Sequence, residues 1–437
     1  MITRCLALSL AMCASLGFVA CGSSRPKSPP SGLSNRVMAS QGVTSTFTFG
    51  ELVTINGQND TIPRVAPIFA GVSPQLMAIT PSRNIVSTVD SIANAVYSVN
   101  TLTETSIGKV QLPGPTTSIA IPTSNPVGYA AVPTAFVSGH TFLGAVEVMN
   151  LAGAIITTIG VTNAQTVVSN SSGSLLLVFP PTELNPNGSN LVTVLSPANA
   201  VPPVDTSCFG VVPNAVCTLL TGFDRPVNAL INGNTAYILN CGPQCGGNQA
   251  SVSILDLENL TVSATIPVDA ATDAYLIGNT LYVAGTSPTN NACTNQTTAA
   301  TTCGRLDTVD LTTNTVTSSI AITDGIHHRM DMSINGQLFI GSYNCTEIGN
   351  SNNPSGEVRG CLTILNTNTG ALVFPPENGD VNGLQSFTTR EVEYVAQGGD
   401  LYVYDTTKDV LLINDLITTG IIDVVGYVGD VKAIDFF

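Results

Sequence analysis

Pro226-Val-Asn-Ala-Leu-Ile231, a turn of Asn-Gly-Asn, and Thr235-Ala-Tyr-Ile-Leu-Asn240 open the stretch that decides the fold. After a loop come Ser251-Val-Ser-Ile-Leu-Asp-Leu257, a Glu-Asn turn and Leu260-Thr-Val-Ser-Ala-Thr-Ile266. Each run is short, rich in Val, Ile, Thr and Tyr, and bounded by Gly or Asn. That pattern marks strands joined by tight turns. Four such runs form one antiparallel unit.

The unit repeats. Ala274-Tyr-Leu-Ile277, Thr280-Leu-Tyr-Val-Ala284, Leu306-Asp-Thr-Val-Asp-Leu311 and Thr315-Val-Thr-Ser-Ser-Ile320 make a second copy. Met330-Asp-Met-Ser-Ile334, Gln337-Leu-Phe-Ile-Gly341, Cys361-Leu-Thr-Ile-Leu-Asn366 and Ala371-Leu-Val-Phe374 make a third. Asp256, Asp310 and Asn366 close the third run of each copy, spaced by 54 and 56 residues. Without the cysteine-bearing loops the period falls to roughly the 40–50 residues of a propeller blade. Weaker copies begin at Leu76, Thr117, Gln165 and Leu384. At the ends, Arg36-Val-Met-Ala-Ser40, Leu52-Val-Thr-Ile55 and Arg64-Val-Ala-Pro-Ile68 lack a first strand, while Asp430–Phe437 is a first strand lacking the rest. The expected fold is therefore all-β: a propeller of four-stranded blades, eight by count with seven as the alternative. The N- and C-terminal strands pair to close the ring, which removes sheet edges that would otherwise template aggregation. Two stacked sandwiches are the competing all-β arrangement.

Second strands such as Tyr237-Ile-Leu-Asn240, which precedes Val252-Ser-Ile-Leu-Asp-Leu-Glu-Asn-Leu-Thr-Val262, and Tyr282-Val-Ala-Gly285 resemble the YVTN family of β-propeller repeats. The resemblance covers most of residues 36–437, most closely 226–376. It implies a propeller of a kind often used as a surface or periplasmic interaction module.

The chain has 437 residues, 43% of them hydrophobic and only 10% charged, which excludes coiled coils and charged helical arrays. A formal charge of −15 argues against nucleic acid, whose phosphates require a basic surface. Arg4 followed by the apolar run Cys5–Val19 reads as a signal peptide over 1–20, too short to span a bilayer. Phe18-Val-Ala-Cys21 resembles a bacterial lipobox, although Phe18 stands where Leu is usual, and Cys21 is the expected lipid-attachment residue. Residues 21–35, rich in Pro, Ser and Gly, read as a tether, and 36–437 as a single propeller domain. Gly22 after the cysteine fits outer-membrane sorting in a diderm host. Contact with the membrane is then through the lipid alone.

Eight further cysteines fall into neighbours: Cys208 and Cys217, Cys241 and Cys245, Cys293 and Cys303, Cys345 and Cys361. An even number in an exported chain reads as disulfides, and local pairing is favoured among the 105 connectivities that eight allow. A thiolate zinc site at Cys241 and Cys245 is the rival, but no second half occurs at zinc spacing. The long loops 241–250, 287–304 and 344–361 are second-to-third connections, expected on one face of the ring. The Cys208/Cys217 segment is a third-to-fourth connection, expected on the other.

On the first face, fourth-to-first connections line the channel mouth. They carry Arg225, Asp273, His327, His328 and Arg329, the candidate ligand contacts. Adjacent histidines on a strand point to opposite sides, so His327 and His328 cannot readily share a metal. His140 is expected in solvent. Hydrolase, metalloprotease, phosphate-loop, dinucleotide and haem-attachment motifs are absent, and no catalytic residue or cofactor is assigned. Calcium in an Asp/Asn-rich loop is an alternative without a motif behind it. The functional expectation is a non-catalytic binding or scaffold module at the cell envelope. A protein partner is preferred to polysaccharide because Trp is missing and aromatics are few. The competing classes are a hydrolase or lyase using His327 and Arg329 at the mouth, and a structural envelope or appendage-assembly protein.

Overall fold

A computed structural model describes residues 29–43, 49–138, 141–181, 190–199, 204–205, 216–287, 304–345, 360–414 and 416–435. Almost all regular structure is strand, arranged in eight sheets. Blade 1 is composite and contains Tyr427–Ala433, Arg36–Gly42, Glu51–Asn56 and Ile68–Phe69 from the axis outward. Blades 2 to 8 follow in chain order, with first strands Pro74–Ile79, Ser118–Ala120, Thr166–Ser169, Pro226–Asn232, Asp273–Ile277, Ile326–Met332 and Val381–Ser386. Each first strand packs on the first strand of the next blade, and Tyr427–Ala433 packs on both Val381–Ser386 and Pro74–Ile79. The count is eight, and the ring is closed.

Blades stack face to face, so their middle strands are buried on both sides and read as nearly continuous apolar or small runs. Arg36–Gly42, Ile85–Asp90 and Val392–Gln397 are buried throughout. Outer strands such as Thr315–Ile322 meet solvent and are rich in Thr and Ser. Eight apolar clusters result, one at each interface between successive blades. Each fully buried aliphatic side chain in them contributes about 1.5–3 kcal/mol through the hydrophobic effect.

The turns explain the repeat markers. The Asp256 carboxylate accepts hydrogen bonds from the Glu258 and Asn259 amides at 2.9 and 3.4 Å. Asp310 accepts from the Thr312 amide and Asn366 from the Asn368 and Thr369 amides in the same way. Four residues after each marker the chain turns through positive φ, at Leu260, Asn314 and Gly370. The Asp/Asn period is therefore the period of a side-chain-capped turn between third and fourth strands.

Closure is made by register and by charge. Val37, Met38 and Ala39 pair with Ala433, Lys432 and Val431 before a bulge. Arg36 donates through Nε and Nη2 to the Asp435 carboxylate at 2.8 and 2.9 Å, and through Nη1 to Glu104 of blade 2 at 3.1 Å. Blades 1 and 8 are further joined by Arg390, bidentate to Asp60, whose carboxylate also accepts from the Tyr394 hydroxyl.

Several details differ from the sequence expectation. Asp273 and His327 to Arg329, expected in fourth-to-first connections, lie in the inner strands Asp273–Ile277 and Ile326–Met332, because pairing with the second strands extends to them. The terminal strand starts at Tyr427 rather than Asp430, because Gly42 and Gln41 extend the pairing past the bulge. The fourth strand of blade 1 is only Ile68–Phe69, since Pro63 and Pro67 offer no amide to the ladder. Val204–Asp205 adds a parallel fifth strand outside blade 3, and Ile421–Ile422 pairs with Asp400–Asp405 in blade 8. Cys241 pairs with Cys245 and Cys345 with Cys361, in second-to-third connections as expected. Cys217 is disulfide-bonded. Cys21, His140, Cys208, Cys293 and Cys303 lie outside the described residues.

Candidate functional site

Because strands alternate in direction, the first residues of all eight inner strands rim the same end of the axial channel. There they enclose a cavity of about 740 Å³. Gln75, Ser118, Thr166 and Asn228 come from blades 2 to 5, and Thr272 precedes the inner strand of blade 6. Blade 7 contributes Ile326 to Arg329, blade 8 Asn382, and the composite blade Tyr427. A ring of equivalent strand starts thus makes a single site from residues far apart in sequence.

Blade 7 places both histidines, and its ladder slips between His327 and Arg329. His327 is 1% exposed, and its Nε2 lies 3.0 Å from the Thr323 carbonyl, so Nε2 carries the proton and donates. Burial lowers its pKa to about 4, leaving the ring neutral at ordinary pH. The His328 ring stands edge-on to Tyr343 at 4.8 Å. Burial, reinforced by the Arg329 charge, holds its pKa well below the usual imidazole range. The Nδ1 atoms of both rings are buried without a hydrogen-bond partner.

Arg329 is fixed by two carbonyls: Nε donates to Asn382 and Nη1 to His328, each at 2.9 Å. Asn382 in turn donates to the Tyr427 hydroxyl at 2.9 Å. Asp273 sits behind the wall, 8% exposed, with Asn228 Nδ2 at 3.5 Å. Burial raises its pKa to about 6, against the opposing pull of the Ala274 amide and the Arg329 charge.

Arg225 does not line the cavity. Its backbone has φ +61°, and its Nη2 reaches the Gly246 carbonyl at 3.4 Å. Neighbouring Asp224 accepts from the Asn248 and Gln249 amides at 2.8 and 2.7 Å. Gln244, held on the short 3-10 turn Gly242–Cys245, donates to the Gly325 carbonyl and accepts from the Thr286 amide. The Cys241–Cys245 loop therefore ties three blades together at the rim.

Of the five mouth residues expected from sequence, His327, His328 and Arg329 line the cavity, Asp273 stands just behind it, and Arg225 belongs to the rim. Asn382, Tyr427 and Gln75 were missed. Their signal was positional, since each occupies a strand-start register equivalent to that of blade 7. Among the described residues no group of three or more His, Cys, Asp or Glu side chains is arranged to hold a metal ion.

No family model matches the chain, and no curated protein matches it. Solved structures do. The chain is similar to dihydro-haem d1 dehydrogenase NirN, solved in complex with DHE, at 10% identity and TM-score 0.60, over 93% of this chain and 79% of that one. It is similar to the C-terminal WD40 domain of Sif2 at 9% identity and TM-score 0.56, over 84% and 90%. It is also similar to a functionally unknown protein from Desulfotomaculum acetoxidans at 12% identity and TM-score 0.50, over 92% and 100%. At such identities the likeness is one of fold. The chain is a β-propeller repeat protein.

Proposed function

We propose that this chain is an exported, lipid-anchored propeller with YVTN-like repeats, serving as a non-catalytic binding or scaffold module of the cell envelope with a protein partner. The observation that carries the reading is how the mouth's reactive side chains are engaged. His327 Nε2 is held by a backbone carbonyl, two Arg329 nitrogens are held by carbonyls, and Asp273 is buried behind the wall. These groups build a shaped, rigid opening and leave no base poised beside a nucleophile. The Cys241–Cys245 and Cys345–Cys361 bonds suit an oxidising compartment outside the cytosol.

The lipid reading also sets an orientation. The Ser31 amide and hydroxyl donate to Glu104 at 2.7 and 2.6 Å, in a third-to-fourth turn opposite the mouth. Cys21 lies ten residues upstream, within about 35 Å of extended chain. An anchor there turns the mouth away from the bilayer. Cys21→Ser should release the protein from membranes, and retention would refute the anchor. A photoactivatable residue at exposed Thr117, at the mouth, should give a discrete protein adduct in intact cells, whereas one at Leu102 on the opposite face should not. Equal labelling from both faces would refute the mouth as the docking end.

A further inference from the structure

The charge on the cavity wall is opposite to that of the molecule. The chain carries 29 acidic and 14 basic residues, yet among the described residues no Asp or Glu lines the cavity, and Arg329 is the one ionised residue that does. Two other arginines of the fold, Arg36 and Arg390, are matched to carboxylates: Arg36 to Asp435 and Glu104, and Arg390 to Asp60. Arg329 has no carboxylate within ion-pair distance among the described residues, and its Nη2 has no protein partner there. Its Nε and Nη1 bonds to the Asn382 and His328 carbonyls fix the guanidinium plane before any ligand arrives. A guanidinium held in a partly desolvated place prefers a planar, bidentate oxyanion, and a fixed fork loses little entropy in binding one. Around it Leu76, Ile119, Val167, Ile326 and Tyr343 supply apolar wall. His328, kept neutral by its surroundings, adds no second positive charge.

We propose that the cavity receives an organic anion with one carboxylate-like head, seated on Arg329, and an uncharged, largely apolar body. A cation is disfavoured by the lone guanidinium, and a polyanion by the single charge and by the acidic surface outside. The inference rests on reading the cavity as a binding site. The head belongs either to a free organic acid or to the carboxyl terminus of a partner chain.

The probe is 8-anilinonaphthalene-1-sulfonate, an apolar monoanion, with uncharged N-phenyl-1-naphthylamine as its control. The intact, oxidised protein should bind one equivalent of the sulfonate saturably. Arg329→Gln should weaken that affinity at least tenfold without changing affinity for the neutral amine, and Arg329→Lys should restore part of it. Displacement by hexanoate but not hexanamide assigns a free acid. Displacement by a peptide with a free but not an amidated C-terminus assigns a partner's terminus. Displacement by acid and amide alike, or sulfonate binding unchanged in Arg329→Gln, would overturn the proposal. If that variant does not fold, the acid–amide comparison on the parent protein decides alone. Cellular crosslinking plays no part in these titrations, so absence of a protein adduct at the mouth and failure of anion binding are separate results.

Discussion

Glu147 stands in the third strand of blade 3 with 1% of its surface exposed, and among the described residues no cation pairs with it. Its Oε2 accepts from the Thr158 hydroxyl at 2.6 Å, while Oε1 is buried without a partner. Burial raises its pKa from an ordinary 4.5 to about 7, and the Thr158 bond only partly opposes this. Below pH 4.5 the carboxyl is protonated in both folded and unfolded chains and has no effect on the balance. As pH rises from 4.5 to 7, the unfolded chain ionises first, and the fold loses stability relative to it. Above pH 7 both states are ionised and the loss is constant. At ~1.36 kcal/mol per pH unit, the gap corresponds to about 3 kcal/mol. Glu147→Gln keeps the shape and an acceptor for Thr158, and cannot ionise. It should therefore match the parent in urea unfolding at pH 4 and exceed it by about 3 kcal/mol at pH 8.5. Every other titrating group is common to both proteins and cancels in the difference. An equal difference at the two pH values, of either sign, would refute the buried, unpaired carboxyl as described.

Two further substitutions test closure and loop stapling. Arg36→Ala removes the ion pairs to Asp435 and Glu104 and leaves nearly buried Glu104 without its cation. It should cost about 3–5 kcal/mol, as breaking one side of a buried pair does. Arg36→Met, which restores the packing, should cost less than Arg36→Ala, and equal losses in denaturant unfolding would count against the clasp. Replacing both Cys345 and Cys361 by Ser opens a loop with a sequence separation of 16 residues and should lower stability by about 3 kcal/mol. An unchanged melting temperature would show that this bond does not constrain the unfolded chain.

The architecture was legible because its determinants are local and repeated. Asp256, Asp310 and Asn366 each cap the same turn, and two-residue connections such as Gly233-Asn234, with Gly233 at φ +59°, set hairpin register from within a few residues. Closure could be read from a missing first strand at one end and a surplus one at the other. What could not be read depended on relations across blades. The Val204–Asp205 strand pairs with Thr158 and Ile159, 46 positions earlier, and no periodicity announces it. The Arg36–Asp435 pair spans 399 positions.

The site divides along the same line. His327, His328 and Arg329 stood out because histidine is scarce in this sequence, yet their chemistry is decided by what lies opposite. Thr323 holds one imidazole, Tyr343 faces the other, and Asn382 of the next blade orients the guanidinium. The ring leaves Arg329 facing the cavity, while Asp273 is buried and not among the lining residues. Neither property belongs to any one blade. The electrostatic character of the mouth is set by the closed ring as a whole.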